Sequence, residues 1–401
     1  MKGTIMTKIE WTQRPDTKGE TWNPIRARNK ATGGTGHFCT KVSAGCQNCY
    51  AADFQKRFKN PVRYAAQDAD QVEIFLDAIV VRQPLMWKKP RTIFVCSMTD
   101  LFYEGHCDEW IDDIFAIAAL CPQHTFIVLT KRIEATRQYM TSIDNNDGGR
   151  LEGFRDAMIE GAAQRIHFER TREDPSMWLA VHLPLPNVWI GTSAEDQATA
   201  IERIPTLLTT PAAVRFISAE PLLGPVELDN LIIADLPTGE WSFNCLDNEG
   251  LDIEDDEAFK GATIDWVICG GESGHKARTM HPDWARSLRD QCKAASVPFF
   301  FKQWGAWLPW ESADAPFWLS QNDAYVDGHN LFPSEMESDP NWNDGLSFVS
   351  DGESHAVFQK VGKKAAGRLL DGVEHNAFPT VSANENRTAE SELVKSGTFA
   401  A

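Results

Sequence analysis

Residues 266–274 read Trp266-Val267-Ile268-Cys269-Gly270-Gly271-Glu272-Ser273-Gly274. An unbroken apolar run of this length suits a strand buried on both faces, whereas alternation would mark a sheet with one wet face. Paired glycines and an acid end the run, so a polar cluster falls where strand gives way to loop. The same grammar recurs along the chain. Ile93–Cys96 leads into Ser97-Met98-Thr99-Asp100, and Phe126–Leu129 into Thr130-Lys131-Arg132. Val188–Gly191 leads into Thr192-Ser193-Ala194-Glu195-Asp196, Val214–Ile217 into Ser218-Ala219-Glu220-Pro221, and Phe299–Phe301 into Lys302-Gln303-Trp304.

Helical stretches lie between these runs. In residues 108–120, Trp110, Ile111, Ile114, Phe115 and Ala118 share one stripe, with Asp108 and Glu109 in the favoured first turn. Residues 282–295 open with Pro282 at a first helical position and align Trp284, Leu288 and Cys292. Residues 196–208 are helical, with Pro205 as a kink or an end. Strands alternating with helices call for a parallel sheet with right-handed crossovers. Six such units, plus a first strand within residues 8–25, predict an α/β fold: a TIM-like parallel barrel, partial or complete, rather than an open doubly wound sheet. No Gly-x-Gly-x-x-Gly follows the first strand, which argues against an open dinucleotide-binding sheet.

The expected organisation is a barrel over residues 8–310 with insertions at 141–187 and 229–262, a loop-rich appendage over 311–380 and a disordered tail over 381–401. The first insertion has a helical middle around Phe154–Phe168. The second includes 247–257, with seven acids in eleven positions, which reads as a solvated segment. The 401 residues contain no apolar run of eighteen, so a soluble, cytoplasmic protein with no membrane partner is expected. Nine cysteines, an odd number, read as reduced thiols. A net charge of −18 weighs against loose binding to a nucleic-acid backbone, yet residues 1–60 hold eleven Lys or Arg against four Asp or Glu.

That basic segment surrounds the chain's densest chemistry. Residues 39–49 read Cys-Thr-Lys-Val-Ser-Ala-Gly-Cys-Gln-Asn-Cys, a Cys-x6-Cys-x2-Cys spacing followed by Tyr50. Residues 26–38 form a basic, glycine-rich loop leading into it, and a helix from Tyr50 places Phe54 and Phe58 on one face. Gly45 gives the backbone freedom to fold the sulfurs inward. Three thiolates in one short loop can converge on a single metal centre. A structural zinc site needs a fourth ligand, and no second Cys or His pair is present. An iron–sulfur cluster with one open iron, a zinc ion completed by His37, and ordinary buried thiols are the three readings of Cys39, Cys46 and Cys49.

In a parallel α/β barrel the working groups gather where strands end, at one face. This brings the cysteine loop together with Asp100, Lys131, Glu220 and Lys302, the candidate catalytic residues. Tyr50, Ser97, Glu195, Gly270, Gly271 and Glu272 are the candidate cofactor contacts. The paired glycines would let a ligand's polar end approach the backbone, or serve a turn needed only for packing. Taken singly, an Asp or Ser after a strand often just caps the next helix. Tyr50 and the Trp304–Trp310 group offer stacking faces for an aromatic ligand, or core packing.

Several of these motifs together resemble the three-Cys-motif phage protein family, whose function is unassigned. The resemblance rests on Thr21-Trp22-Asn23-Pro24, the Cys39 to Ala51 loop, Ser97–Phe102, Ser218–Leu222, Gly270–Gly274, Phe301–Gly305 and Gly367–Gly372. It spans about residues 8–379 and departs from the family pattern by inserting 26–38 before the first cysteine. That family in turn resembles radical S-adenosylmethionine enzymes, which join a three-cysteine loop to a partial (β/α)6 barrel. The resemblance implies a [4Fe–4S] cluster on Cys39, Cys46 and Cys49 with S-adenosylmethionine on the fourth iron, and an external electron donor. Those enzymes typically carry Cys-x3-Cys-x2-Cys, so the first interval is wider here, and Gly270-Gly271-Glu272 follows a late strand rather than the second. A phage setting implies a nucleotide or nucleic acid as substrate. The competing readings are a non-catalytic zinc-binding or nucleic-acid-binding accessory protein, and a metal-dependent hydrolase using the strand-end carboxylates.

Overall fold

The computed structural model describes residues 9–57, 62–141, 153–174, 179–236, 239–247, 262–310, 346–350 and 355–380. The tail 381–401, the acidic positions 248–257 and the span 311–345 lie outside the described residues. From the N-terminus run β1 (Lys18–Trp22), β2 (Ile25–Asn29), β3 (Thr35–Gly36), α1 (Tyr50–Arg57), β4 (Val72–Leu76), β5 (Arg91–Val95) and α2 (Asp108–Ala119). Next come β6 (Thr125–Thr130), α3 (Ile133–Thr141), α4 (Phe154–Thr171), β7 (Val188–Ser193), α5 (Gln197–Leu208) and β8 (Val214–Ala219). The remainder comprises β9 (Leu231–Leu236), β10 (Gly239–Phe243), β11 (Trp266–Gly270), α6 (Pro282–Ala294), β12 (Phe299–Gln303), β13 (Trp307–Trp310), β14 (Leu346–Ser350), β15 (His355–Lys360) and α7 (Lys363–Ala366).

Seven strands form one sheet in the order β1-β5-β6-β7-β8-β11-β12, every neighbouring pair parallel. Spatial order follows chain order without reversal, so the sheet winds one way and curls into a half-barrel. The six apolar runs singled out in the sequence are six of these strands, and β1 supplies the seventh. Their pleat explains the unbroken apolarity. Ile93, Val95, Val128, Ile190, Ile217 and Val267 face the helices, where Ile114, Phe115, Ile204, Leu207 and Leu288 cover them. The alternate residues Phe94, Ile127, Trp189, Phe216, Trp266, Ile268 and Phe300 fill the concave side.

The two outer strands, β1 and β12, do not pair with each other. A 3-10 turn at Glu10–Thr12 touches β1, β5 and β12 and inserts Trp11 into the concave side, 4.7 Å from Phe94 and 6.3 Å from Trp266 by ring centroids. From the other terminus, His375 and Ala377 bond to the backbone of β12, and Phe378 packs 5.5 Å from Trp266. The seam is thus filled by side chains from both ends of the described chain.

Several local expectations are corrected. Residues 26–38 are not a plain loop: β2 pairs antiparallel with β3 and β4. Asn29 Oδ1 accepts from the amides of Ala31 and Thr32, and Gly33 takes φ +71°, which together make the turn. Pro205 neither ends nor interrupts α5, because burial of Ile204, Leu207 and Leu208 holds the last turn despite the missing amide. Phe54 is exposed on α1, where Ala51 and Gln55 are buried instead, and Phe58 lies outside the described residues. Between β8 and β11 the described residues include the antiparallel pair β9–β10. Beyond residue 310, the described part of the appendage carries strands as well as irregular chain: β14 and β15 pair, and β15 pairs with β13. No helix among the described residues is long and apolar enough to cross a membrane.

Candidate functional site

The cysteine loop crosses the carboxyl ends of the parallel strands and is tied to four of them. Past β5, Thr99 Oγ1 donates to the Phe38 carbonyl at 2.6 Å. Past β6, Arg132 Nη2 donates to Thr40 Oγ1 at 2.8 Å and to the Thr40 carbonyl at 3.2 Å. Past β7, Glu195 accepts from Ser43 Oγ at 2.7 Å. Past β11, Glu272 accepts from Asn48 Nδ2 at 3.0 Å, and Arg278 Nη2 donates to the Ala44 carbonyl at 3.0 Å. A short segment with little apolar surface is held here by hydrogen bonds, several of them to charged groups.

Beneath the loop lies a cavity of about 140 Å³. Cys39, Cys46 and Cys49 line it together with Tyr50, Ser97, Asp100 and Lys131, above a floor that includes Phe94 and Leu129. Seven of the expected site residues therefore meet around one space. Tyr50 Oη donates to the Ser97 carbonyl, and Asn23 brackets Ser97 by bonding its hydroxyl and the Met98 amide. Glu195, Glu220, Gly270, Gly271, Glu272 and Lys302 do not line that cavity. Glu220 and Lys302 form their own ion pair, 2.6 and 2.8 Å from Nζ to the two carboxylate oxygens, at the ends of β8 and β12.

The strand-end carboxylates are fully engaged. Asp100 accepts from Thr130 Oγ1 at 2.8 Å, the Lys131 amide at 2.9 Å and the Phe102 amide at 3.0 Å, with Arg132 Nη1 at 3.4 Å. Glu195, wholly buried, takes Lys131 Nζ and Ser43 on one oxygen and Arg203 Nη1 at 2.9 Å on the other. Burial alone would raise its carboxyl, but Lys131 and Arg203 outweigh that and hold it below the usual range. Glu272 behaves likewise: burial raises it, the bonds from Arg278 and Asn48 lower it, and the bonds win. Asp196 is the N-cap of α5, reciprocally bonded with Thr199.

Gly45 and Gly271 serve space rather than backbone freedom. Gly45 does not adopt a left-handed φ; a Cβ there would overlap the Glu195 carboxylate. Gly271 would drive a Cβ into the Trp304 carbonyl. Trp304 is buried with Nε1 on the Leu369 carbonyl, and Trp307 Nε1 bonds the Ala277 carbonyl, so this pair serves packing.

Every cysteine is a free thiol. Burial and nearby Asp100 push Cys39 up to about 12, against the pull of Arg132, whose Nη1 stands 3.8 Å from Sγ. Burial also raises Cys49. A soft metal would have to displace these protons, so its binding would strengthen as pH rises. Arg132 is the functional neighbour that sequence reading passed over; its place directly after a strand-end Lys was the available signal. Cys96 also borders the cavity, but it is buried and packs with the helix-side core. His37 Nδ1 lies 3.1 Å from the Ile25 carbonyl, and burial lowers its pKa to about 4. Among the described residues, no group of three or more His, Cys, Asp or Glu stands in metal-binding geometry. Three thiols from one loop line the cavity and no histidine does, a donor set whose chemistry suits a soft metal.

No curated protein and no solved structure matches the chain. A family model does, over residues 6–379, which covers β1 to β15, the cysteine loop and every candidate residue above. The chain belongs to the family described as "Protein of unknown function (DUF5131)".

Proposed function

We propose that this protein is a cytoplasmic iron–sulfur enzyme of the radical S-adenosylmethionine type, of phage or prophage origin, on a partial (β/α)6 barrel. Cys39, Cys46 and Cys49 would hold a [4Fe–4S] cluster, leaving one iron for S-adenosylmethionine. The observation that carries this reading is the convergence of three thiols on one cavity at the carboxyl ends of parallel strands. When bound, the cluster and S-adenosylmethionine supply one-electron chemistry that amino-acid side chains lack.

The chain's own residues position and exclude. The cysteine loop roofs the cavity, and Phe94 and Leu129 keep its floor apolar. Arg132 offers positive charge beside Cys39. The partly exposed Glu220–Lys302 pair presents one anion and one cation to an incoming substrate. A nucleotide or nucleic acid is the substrate class we favour, supported by the basic N-terminal segment; an electron donor must come from outside.

Anaerobic purification, reconstitution with iron and sulfide, elemental analysis and electron paramagnetic resonance test the reading. Equal iron and sulfide, lost when Cys46 becomes Ala, is the expected result. A tightly held zinc ion with no iron uptake would replace it with the accessory-protein reading.

A further inference from the structure

We infer that Glu195 and Glu272 are positioning residues that clamp the cysteine loop in the conformation that brings its sulfurs together. Each carboxylate is balanced by cations from the barrel side and also receives one neutral donor from the loop. Glu195 faces Lys131 and Arg203 and takes Ser43; Glu272 faces Arg278 and takes Asn48. Ser43 lies three residues before Cys46, and Asn48 lies directly before Cys49. The two clamps therefore fall on either side of Cys46, the second within the Cys46–Cys49 turn.

Both carboxylates have all their oxygens occupied and neither lines the cavity, so neither is a ligand in waiting. Their charge is already compensated without the loop. A Ser or Asn donating to a buried, charged acceptor forms a stronger bond than it would with a neutral partner. Gly45 reinforces the first clamp, since only a residue without a Cβ lets the loop lie against Glu195. Arg278 reinforces the second by reaching past Glu272 to the Ala44 carbonyl. The inference rests on the proposed function only in treating the three thiols as one site.

The test uses the full chain, reduced, metal-free and oxygen-free. Ser43→Ala and Asn48→Ala remove the loop side of each clamp and leave both carboxylates with their cations, so the barrel should keep its melting temperature. Alkylation by iodoacetamide, followed peptide by peptide, should accelerate about tenfold or more at Cys46 and Cys49 as the loop opens. Buried Cys121 and Cys292 should stay slow. Cadmium, followed by thiolate absorption, should be held about tenfold less tightly. Asn48→Asp, which sets a carboxylate against Glu272, should exceed Asn48→Ala in both respects. Unchanged alkylation at Cys46 and Cys49, or an equal rise at Cys121 and Cys292, would overturn the clamp. If the wild-type chain takes no cadmium while alkylation still accelerates in the variants, the clamp stands and the metal reading falls.

Discussion

Asp100 shows how a residue can be found for one reason and kept for another. Its position after β5 marked it as chemically active, and it does border the cavity. Its oxygens, however, bind the end of β5 to the end of β6 through Thr130 and the Lys131 amide. Asp100→Ala would leave the Thr130 hydroxyl and the Lys131 and Phe102 amides without their acceptor, while Arg132 keeps Glu104, and should cost about 3 kcal/mol in urea unfolding. A smaller loss would return Asp100 to the list of groups free for chemistry. The paired glycines divide in the same way. Gly271→Ala meets backbone and should lose roughly 1–3 kcal/mol. Gly270→Ala meets Lys302 Cβ at 3.3 Å and should lose less. Equal losses from the two would contradict the packing explanation. Residue types and strand-end positions were legible in the sequence; bond partners contributed by elements far away in the chain were not.

Among the elements, strands and helices followed from pattern, while connections did not. The apolar runs named β5, β6, β7, β8, β11 and β12, because burial on both faces leaves an unmistakable mark. The β2–β3 pair was missed because Thr35–Gly36 is too short to show alternation. Pro205 misled because tertiary burial outweighed the local penalty. The elements also carry a pH dependence. His106, between β5 and α2, and His124, before β6, are both lowered, chiefly because burial disfavours their charged form. The unfolded chain therefore binds more protons than the folded one below the ordinary imidazole pKa of about 6.5. Their stabilising contribution is complete above that pH and declines as pH falls below it. The melting temperature should drop between pH 7 and pH 5, and His106→Gln should drop less; an equal drop would remove His106 from the explanation.

At the scale of the whole molecule, the open sheet depends on what fills its seam. Trp11 contacts Phe94 and Trp266 across the concave side, so its truncation leaves a void where no strand can move in. Trp11→Ala should cost about 3–5 kcal/mol by urea unfolding. A cost under about 1 kcal/mol would mean that the sheet holds its curl unaided. Nothing near Trp11 in the sequence announced this task, since its partners Phe94 and Trp266 are 83 and 255 residues away.

One consequence follows from fastening the cysteine segment to four separate strand ends. Distances between the sulfurs are set by the arc of the sheet and not by the segment alone. A substitution deep among the helices that flattens that arc by a fraction of an ångström per strand would be summed across the span and delivered to the thiols. Transplanting residues 38–50 into another scaffold would carry over the donors but lose the ruler that spaces them.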